Sequence, residues 1–535
     1  SVSINSYIIS NMVFCILFTV TLLPFSHCAN ILGIVGLPSY SHQVAFRPLW
    51  KELSLRGHNV TIITTDPVND KRLSNLTEID TKSMYEIVKS LGVAKAVSKE
   101  YSMWAWREFA MKISSTVSEQ ELSNKYVQEL IHSKDKHFDV VLVEIFFPEY
   151  LAFGRLYNCP TILISSLGIV PYHHYKLGNP FNPILHHDYS APFYGKLKFN
   201  ERVLSTLYNF YVLYFDIYKE LPLRQSILKK YFPDVKETLN ELLDNVDLTF
   251  ITVNPVIQGV MALGSTTINI AGVRSKTHKD SLSVDLQTYL DDAKDGFIYF
   301  SLGTNVQSKE LSSSTLNAVI DILKEIPFKI LWKFEADDLP GKPVNVKIIK
   351  WAPQEQVLSH PNIKLFITQG GLQSMEEAIC NHVPLVVIPF FADQERNAKI
   401  MLDKGIAKIV YPKSILEKDK LKDSILEVIS DPRYKDSIKR LHQLATDEPM
   451  TGLERAIWWT EYVIRNKGAK HLRNPAADLP LYQYFLLDVL GFLLLVTIFV
   501  TAIIVILTKS FISLTVKLNT VKFKTDCGEQ NKKRR

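Results

Sequence analysis

A chain of 535 residues is longer than one hydrophobic core supports, so two domains with additional segments are expected. Its hydrophobic content of 47% is that of a globular protein with some excess, which excludes a disordered chain. The net charge of +6 is matched by the segment 508–535 alone, where eight Lys or Arg face two acids, so the basic balance gives no reason to expect nucleic acid.

In chain order, the first segment is 12–25, MVFCILFTVTLLPF, followed by Ser26-His27-Cys28-Ala29. An apolar run too short to span a bilayer and ending in small residues predicts a signal peptide, cut near Cys28 or Ala29, with Met12 a candidate start. Short β-branched runs at 31–36, 60–64, 140–143, 161–165 and 248–252 then alternate with helical patterns at 46–56 and 118–133. Such runs are apolar on both faces, as buried parallel strands must be. The same style returns at 297–301, 329–334, 346–349, 365–368 and 385–389, with a helix over 314–324. This alternation predicts two doubly wound, Rossmann-like α/β domains joined near 269–285.

The segment 171–218 is rich in Tyr, Phe and His and fits no α/β unit, and it reads as an inserted pocket or a membrane-facing region. Its pairs His173-His174 and His186-His187 do not predict a metal, because adjacent side chains diverge and no carboxylate stands at a ligand spacing. The segment 454–465, ERAIWWTEYVIR, reads as a helix crossing back to the first domain. The segment 489–507, VLGFLLLVTIFVTAIIVIL, carries no charge. At about 1.5 Å per residue it covers roughly 28 Å, close to a bilayer core. Tyr482 and Tyr484 stand where an interfacial aromatic belt would be. A signal peptide, an apolar helix and a basic tail predict a type I membrane protein with a lumenal body. The last four residues, Lys532-Lys533-Arg534-Arg535, resemble a dilysine retrieval signal for the endoplasmic reticulum.

Of the five cysteines, Cys15, Cys28 and Cys527 lie at the chain ends, and Cys159 and Cys380 fall in different halves. Neither a disulfide framework nor a zinc spacing is expected. Asn59 and Asn75 head N-x-T sequons. Asn59 begins a strand, so Asn75 is the expected glycan carrier.

The chemistry gathers in 366–397, FITQGGLQSMEEAICNHVPLVVIPFFADQERN. Gly370 and Gly371 stand where a strand gives way to a helix, and glycines there let a ligand approach the backbone. The helix that follows offers N–H groups and a positive dipole end to an anion. Ser301, Gly303 and Thr304 make a second such junction after 297–301, and two anion sites in one domain suit a diphosphate. Neither is GxGxxG or a Walker loop, which disfavours a dinucleotide oxidoreductase and a P-loop enzyme. Glu377, or its neighbour Glu376, can accept two hydrogen bonds from a ribose diol, and Asp393 and Gln394 can do the same for a sugar. Trp351 offers a face for a base and Gln354 a donor and an acceptor. Together these describe a nucleotide-sugar site.

The stretch WAPQEQVLSHPNIKLFITQGGLQSMEEAICNHVPLVVIPFFADQERN closely resembles the signature of the membrane-bound UDP-glycosyltransferases, the UDP-glucuronosyltransferase family, and TQGGLQS is most similar to its insect members. The resemblance runs from Gly36-Leu37-Pro38 to the basic tail. It implies a GT-B fold with acceptor in the N-terminal domain and UDP-sugar in the C-terminal one. It implies that Trp351 stacks on uracil, Gln354 helps bind the nucleoside and Glu377 holds the ribose. Ser301, Gly303 and Gly371 would lie by the diphosphate, Asp393 and Gln394 would hold the sugar, and Thr304, Gln369, Gly370, Gln373 and Ser374 would belong to the same UDP-sugar site. In LPSYSHQVAF, His42 matches the family's catalytic base; histidine ordinarily titrates near neutrality and suits that task. Glu144, in FDVVLVEIFFP, stands where the family places the Asp that steadies the imidazolium. Gln369 and Gln373 also depart from the family, which more often has His and Asn there.

The implied organisation is a signal peptide over 1–28, an acceptor-binding domain over 29–275 and a UDP-sugar-binding domain over 276–450. A crossing helix and juxtamembrane segment follow over 451–488, then a transmembrane helix over 489–507 and a cytoplasmic tail over 508–535. The expected activity is transfer with inversion of glucose or glucuronate from a UDP-sugar to a hydroxyl of a small lipophilic acceptor, with no cofactor or metal. Insect-like wording favours UDP-glucose. Trp104, Trp106 and Phe109 are candidates for either the acceptor pocket or the core. The expected partners are donor, acceptor and membrane, with a homo-oligomer left open and no nucleic acid. The alternative is a non-catalytic relative that holds UDP-sugar or a lipophile.

Overall fold

The structure is a computed structural model that describes residues 28–92, 102–272, 282–304 and 306–532. The expected signal peptide at 1–28 lies almost wholly outside the described residues. The segment Ser1–Asn474 forms one compact unit and Pro475–Arg535 another.

Within the first unit, the β-branched runs form two parallel sheets. The first contains β1 (Asn30–Val35), β2 (Asn59–Thr64), β3 (Leu76–Asp80), β4 (Val140–Glu144), β5 (Thr161–Ser165), β6 (Leu248–Ile251) and β7 (Thr267–Asn269), in the order β3-β2-β1-β4-β5-β6-β7. The second contains β8 (Phe297–Ser301), β9 (Lys329–Lys333), β10 (Val346–Ile349), β11 (Ile363–Thr368), β12 (Leu385–Val387) and β13 (Ala407–Ile409), in the order β10-β9-β8-β11-β12-β13. All their pairings are parallel. Central strands such as VVLVE and FIYFS are buried along their whole length, because helices cover both faces. In each sheet the order reverses beside the first strand, at β1/β4 and at β8/β11. Ligands of doubly wound sheets bind at the carboxyl ends of strands at such a switch point.

Strands β3, β7 and β13 were not expected. Leu76–Asp80 is an edge strand without a buried residue, and the other two are three residues each, too short to show a period. The helix expected over 118–133 is two helices, Met103–Leu122 and Lys125–His132. Asn124 separates them, its side chain accepting the Tyr126 N–H as an N-cap. The helix expected from residue 46 begins at Tyr40, which puts His42 in its first turn.

Helix Gly452–Asn466 opens with a capping box between Thr451 and Glu454. Ala456, Ile457 and Val463 join the hydrophobic cluster of the first sheet. The helix enters beside the chain leaving that sheet: a Cβ on Gly452 would overlap the carbonyls of Ile270 and Ala271, and Arg455 Nη1 donates to Asn269 O at 2.8 Å. Both crossings between the sheets thus touch at one point.

In the second unit, helix Leu487–Lys532 contains the expected span, and Leu487–Lys522 is long and apolar enough to cross a membrane. The tail expected from residue 508 continues this helix rather than starting a separate segment.

Candidate active site

β1 ends at Val35 and the chain turns through Gly36–Ser39 into helix Tyr40–Leu55. Gln43 fixes that turn, its amide donating to Val35 O at 2.7 Å and Leu37 O at 2.9 Å. One turn position earlier stands His42. Its Nδ1 lies 2.6 Å from Glu144 Oε1 and 3.0 Å from the Ser166 hydroxyl. Glu144 ends β4, is fully buried, and accepts the Leu37 N–H on its other oxygen at 3.0 Å. A carboxylate so placed keeps the proton on Nδ1 and leaves Nε2 as an acceptor. The longer Glu therefore reaches the imidazole from the position where the resemblance implies an Asp.

The end of β4 is braced from behind. Arg224, buried, donates to Phe146 O at 3.0 Å and to Glu149 at 2.9 Å, and Glu149 also takes the Ser118 hydroxyl. Glu121 is also fully buried, accepting the hydroxyls of Thr81 at 2.8 Å and Tyr150 at 2.7 Å. Burial pushes its carboxyl up to about 8; those two hydrogen bonds oppose the rise and the charges of Glu144 and Glu149 add to it.

In the second sheet, Ser301 ends β8, and its hydroxyl accepts the Gly303 N–H at 3.3 Å. Gly303 sits at φ +78°, and a Cβ there would strike the Gln369 amide. After β11, Gly370 turns the chain at φ +88° and Gly371 caps helix Leu372–Cys380. The first N–H groups of that helix have no partner within it, as at any helix start. Trp351 and Gln354 follow β10. Gln354 Nε2 donates to Ser374 Oγ at 3.0 Å and to Glu377 Oε2 at 2.5 Å, which orients the carboxylate. Asp393 caps helix Gln394–Asp403 and accepts the Asn397 amide at 2.6 Å. Burial in the cleft raises its carboxyl, opposed by the Asn397 hydrogen bond and by the nearby His42.

One cavity of about 550 Å³ brings both switch points together. His42, Ser301, Gly303, Thr304, Trp351, Gln354, Gln369, Gly371, Gln373, Ser374, Glu377, Asp393 and Gln394 all line it. Gly370 does not; it lies behind the wall, with its carbonyl taking the Asn397 amide at 3.0 Å. Gln394 is buried, its carbonyl accepting the N–H groups of Phe390 and Phe391 and its amide donating to Gln369. Its side chain therefore shapes the loop before Asp393. Glu377 lines the cavity and Glu376 does not.

Trp106 lines the cavity and stacks on Phe391 of the other half, ring centroids 5.1 Å apart. Trp104 instead packs against Tyr208 and Tyr211, and Phe109 stands behind Trp106. Met111, Phe146, Leu167 and Tyr189 complete an apolar wall near His42. His174 and His186 stack on each other, both buried. Of the sequons, Asn59 is exposed and Asn75 half-buried, side by side at the amino edge of β2 and β3.

Sequence reasoning missed Lys333. It ends β9, is buried to within 6% of its surface, and donates to Gly303 O and Glu335, both at 2.8 Å. Its ammonium lies 5.8 Å from the Trp351 ring centroid, so a cation stands between the base platform and the diphosphate turn. A lysine inside the otherwise apolar run ILWKF, 330–334, was the available signal.

Two doubly wound sheets sharing such a cleft define a GT-B glycosyltransferase. Solved structures agree on the fold. That of TcCGT1 in complex with UDP aligns with TM-score 0.55 and 14% identity, covering 82% of this chain and 100% of that one. That of the glycosyltransferase VinC in complex with DTDP aligns with TM-score 0.57 and 15% identity, covering 82% and 100%. A family model described as UDP-glucoronosyl and UDP-glucosyl transferase matches residues 34–524. UDP-glucosyltransferase 2 of Dactylopius coccus is 33% identical over 481 residues, 89% of this chain and 92% of that protein. UDP-glucuronosyltransferase 2B7 of Homo sapiens is 29% identical over 511 residues, 90% and 92% respectively. The chain belongs to the UDP-glucuronosyl and UDP-glucosyl transferase family and is a UDP-glycosyltransferase.

Proposed function

We propose that this enzyme transfers glucose from UDP-glucose, with inversion, to a hydroxyl of small lipophilic acceptors. The observation that carries the reading is His42, held from behind by the buried Glu144, facing Gly303 and Gly371 across one cavity. The acceptor lies on the apolar wall of Trp106, Met111 and Phe146. His42 Nε2 takes its hydroxyl proton while the oxygen attacks the anomeric carbon and the bond to the diphosphate breaks. Glu144 balances the imidazolium. Trp351 stacks on the uracil, Glu377 and Gln354 hold the nucleoside, and Asp393 holds sugar hydroxyls. Charge on the departing UDP is met by Lys333, by the N–H groups at Gly303 and by the start of helix Leu372–Cys380, with no cofactor called on.

Glucose is read as the donor because TQGGLQS resembles the family's insect members. The relative named UDP-glucosyltransferase 2 supports the same choice. The helix Leu487–Lys522 supports a single-pass anchor, the body lumenal, the basic tail cytoplasmic and the terminal lysines retrieving the protein to the endoplasmic reticulum. In that lumen Asn75 is a glycan acceptor. A boundary between acceptor and donor domains near 275 suits the two sheets.

The test supplies membranes bearing the full chain with UDP-glucose or UDP-glucuronate and a panel of phenols and steroids. Mass spectrometry should find hexose adducts. Hexuronate adducts alone would overturn the donor assignment.

A further inference from the structure

The acceptor side of the cavity ends in charge. Arg107 lines it although only 8% exposed, and Glu220 lines it beside Arg107. Two ring contacts lead there from the base. His42 meets Phe146 at 5.7 Å between ring centroids, and Phe146 meets Tyr189 at 6.2 Å. Burial raises the Tyr189 phenol, with Asp188 and Glu220 adding to the rise and Arg107 opposing it, so this ring stands by the ion pair. An apolar wall thus runs from His42 to Arg107 and Glu220.

The pair comes from segments far apart in the chain. Arg107 stands on helix Met103–Leu122, one residue after Trp106. Asp216 and Glu220 open and close a π-helical turn, a rare form that often marks functional sites. Both acids accept from Arg107 Nη2, Glu220 at 2.6 Å. Burial, helped by Glu220, pushes the Asp216 carboxyl up against the pull of Arg107. Burial also opposes the charge on Glu220, but Arg107 and Arg224 outweigh it and hold that carboxyl down. The cavity therefore meets one guanidinium and one carboxylate, with a neutral carboxyl behind them. A purely structural ion pair would use up its donors. Arg107 Nε has no hydrogen-bond partner among the described residues, and neither has Asp216 Oδ2. A buried N–H left so costs free energy until something accepts from that group.

The chemistry of the pair selects its ligand. Arg107 donates and Glu220 accepts, side by side, and a hydroxyl both accepts and donates. A carboxylate would meet like charge at Glu220, and an ammonium would meet it at Arg107. We propose that Arg107 and Glu220 form a polar end to the acceptor site that holds a second hydroxyl of the acceptor. The favoured acceptors are then flat diphenols of two or three rings, one hydroxyl at His42 and the other at Arg107 and Glu220. This deepens the acceptor assignment above and rests on it. An acceptor that lacks the second hydroxyl leaves both polar groups unmatched, which is how a site built for a hydroxyl discriminates.

The test compares matched acceptors on the full chain in detergent with UDP-glucose. The pairs are 2,6-dihydroxynaphthalene against 2-naphthol and 4,4′-dihydroxybiphenyl against 4-hydroxybiphenyl. Transfer gives kcat/KM, and calorimetry in the presence of UDP gives Kd. In at least one pair the diphenol should win by at least about tenfold, beyond the roughly twofold advantage of two equivalent hydroxyls. In the biphenyl series, a carboxylate in place of the second hydroxyl should be poorer than the diphenol. Glu220→Gln and Arg107→Lys should each shrink the ratio within that pair. The ratio does not respond to a lower folded fraction, so a merely structural role would leave it alone. Glu220→Gln should also improve the carboxylate relative to the diphenol. A ratio unchanged in either variant, or equal kcat/KM and Kd within both pairs, overturns the proposal. Preferential binding of the diphenol without transfer to any phenol supports the polar end and overturns the transfer reading. Binding of no phenol overturns both.

Discussion

Tyr40 meets Trp351 edge to face, ring centroids 5.3 Å apart and planes at 86°. Tyr40 stands two residues before His42, and Trp351 is the platform assigned to uracil, so one ring contact couples the base histidine to the donor site. Trp351 is half exposed, which leaves part of its ring open to the cavity. Stacking of a base on an aromatic ring contributes about 1–3 kcal/mol. Trp351→Ala should weaken UDP binding roughly 5- to 150-fold, while Trp351→Phe retains most of it. Titration calorimetry with UDP measures this, and an unchanged Kd for Trp351→Ala would remove the stacking role.

Glu377 is aimed by the Gln354 amide at 2.5 Å. A carboxylate accepting two hydroxyls of a diol makes charge-assisted hydrogen bonds of about 1.5–3 kcal/mol each. Glu377→Ala should raise the donor KM at least roughly tenfold, with the acceptor KM nearly unchanged. Loss confined to kcat, with normal donor affinity, would contradict the ribose assignment.

The pH dependence of stability has a specific source in Glu121, whose carboxyl is pushed from 4.5 up to about 8. Below the unfolded value it is neutral in both states. As pH rises toward 8, the unfolded chain releases this proton and the folded chain keeps it, so stability falls. The slope from this group is at most about 1.4 kcal/mol per pH unit. Glu121→Gln keeps the hydrogen-bonding shape without the titration. Melting of the full chain in detergent at pH 5 and pH 8 should show the variant gaining on the natural protein as pH rises. A difference that does not change with pH would rule this source out.

Gly452 lies where the two crossings between sheets touch, and its missing side chain is filled by the carbonyls of Ile270 and Ala271. Gly452→Ala should lower the melting temperature, at a cost of about 1–3 kcal/mol for overpacking. Gly491→Ala makes the same chemical change where nothing lies within 4 Å, and should be neutral or better. Equal behaviour of the two variants would mean the crossing point tolerates separation.

The central strands were legible because parallel strands covered on both faces must be apolar throughout, as in VVLVE and FIYFS. The edges were not: Leu76–Asp80 faces solvent in part, and Ala407–Ile409 is too short for a period. His42, Gly303, Gly371 and Asp393 could be placed because each follows a strand, and strand ends at switch points are where ligands bind. Lys333, Tyr40 and Phe391 were not placed, because their roles come from contacts between segments far apart in the chain. Gly370 does not line the cavity, and a Cβ there would meet Val387 behind the turn.

The central claim is that His42, held by Glu144, is the base of transfer. The measurement is turnover of UDP-glucose onto a phenol by the natural protein, His42→Ala and Glu144→Gln, with UDP binding measured on each. The account predicts turnover lost in His42→Ala by at least about a hundredfold, reduced in Glu144→Gln, and UDP affinity unchanged in both. Normal turnover in His42→Ala would contradict it.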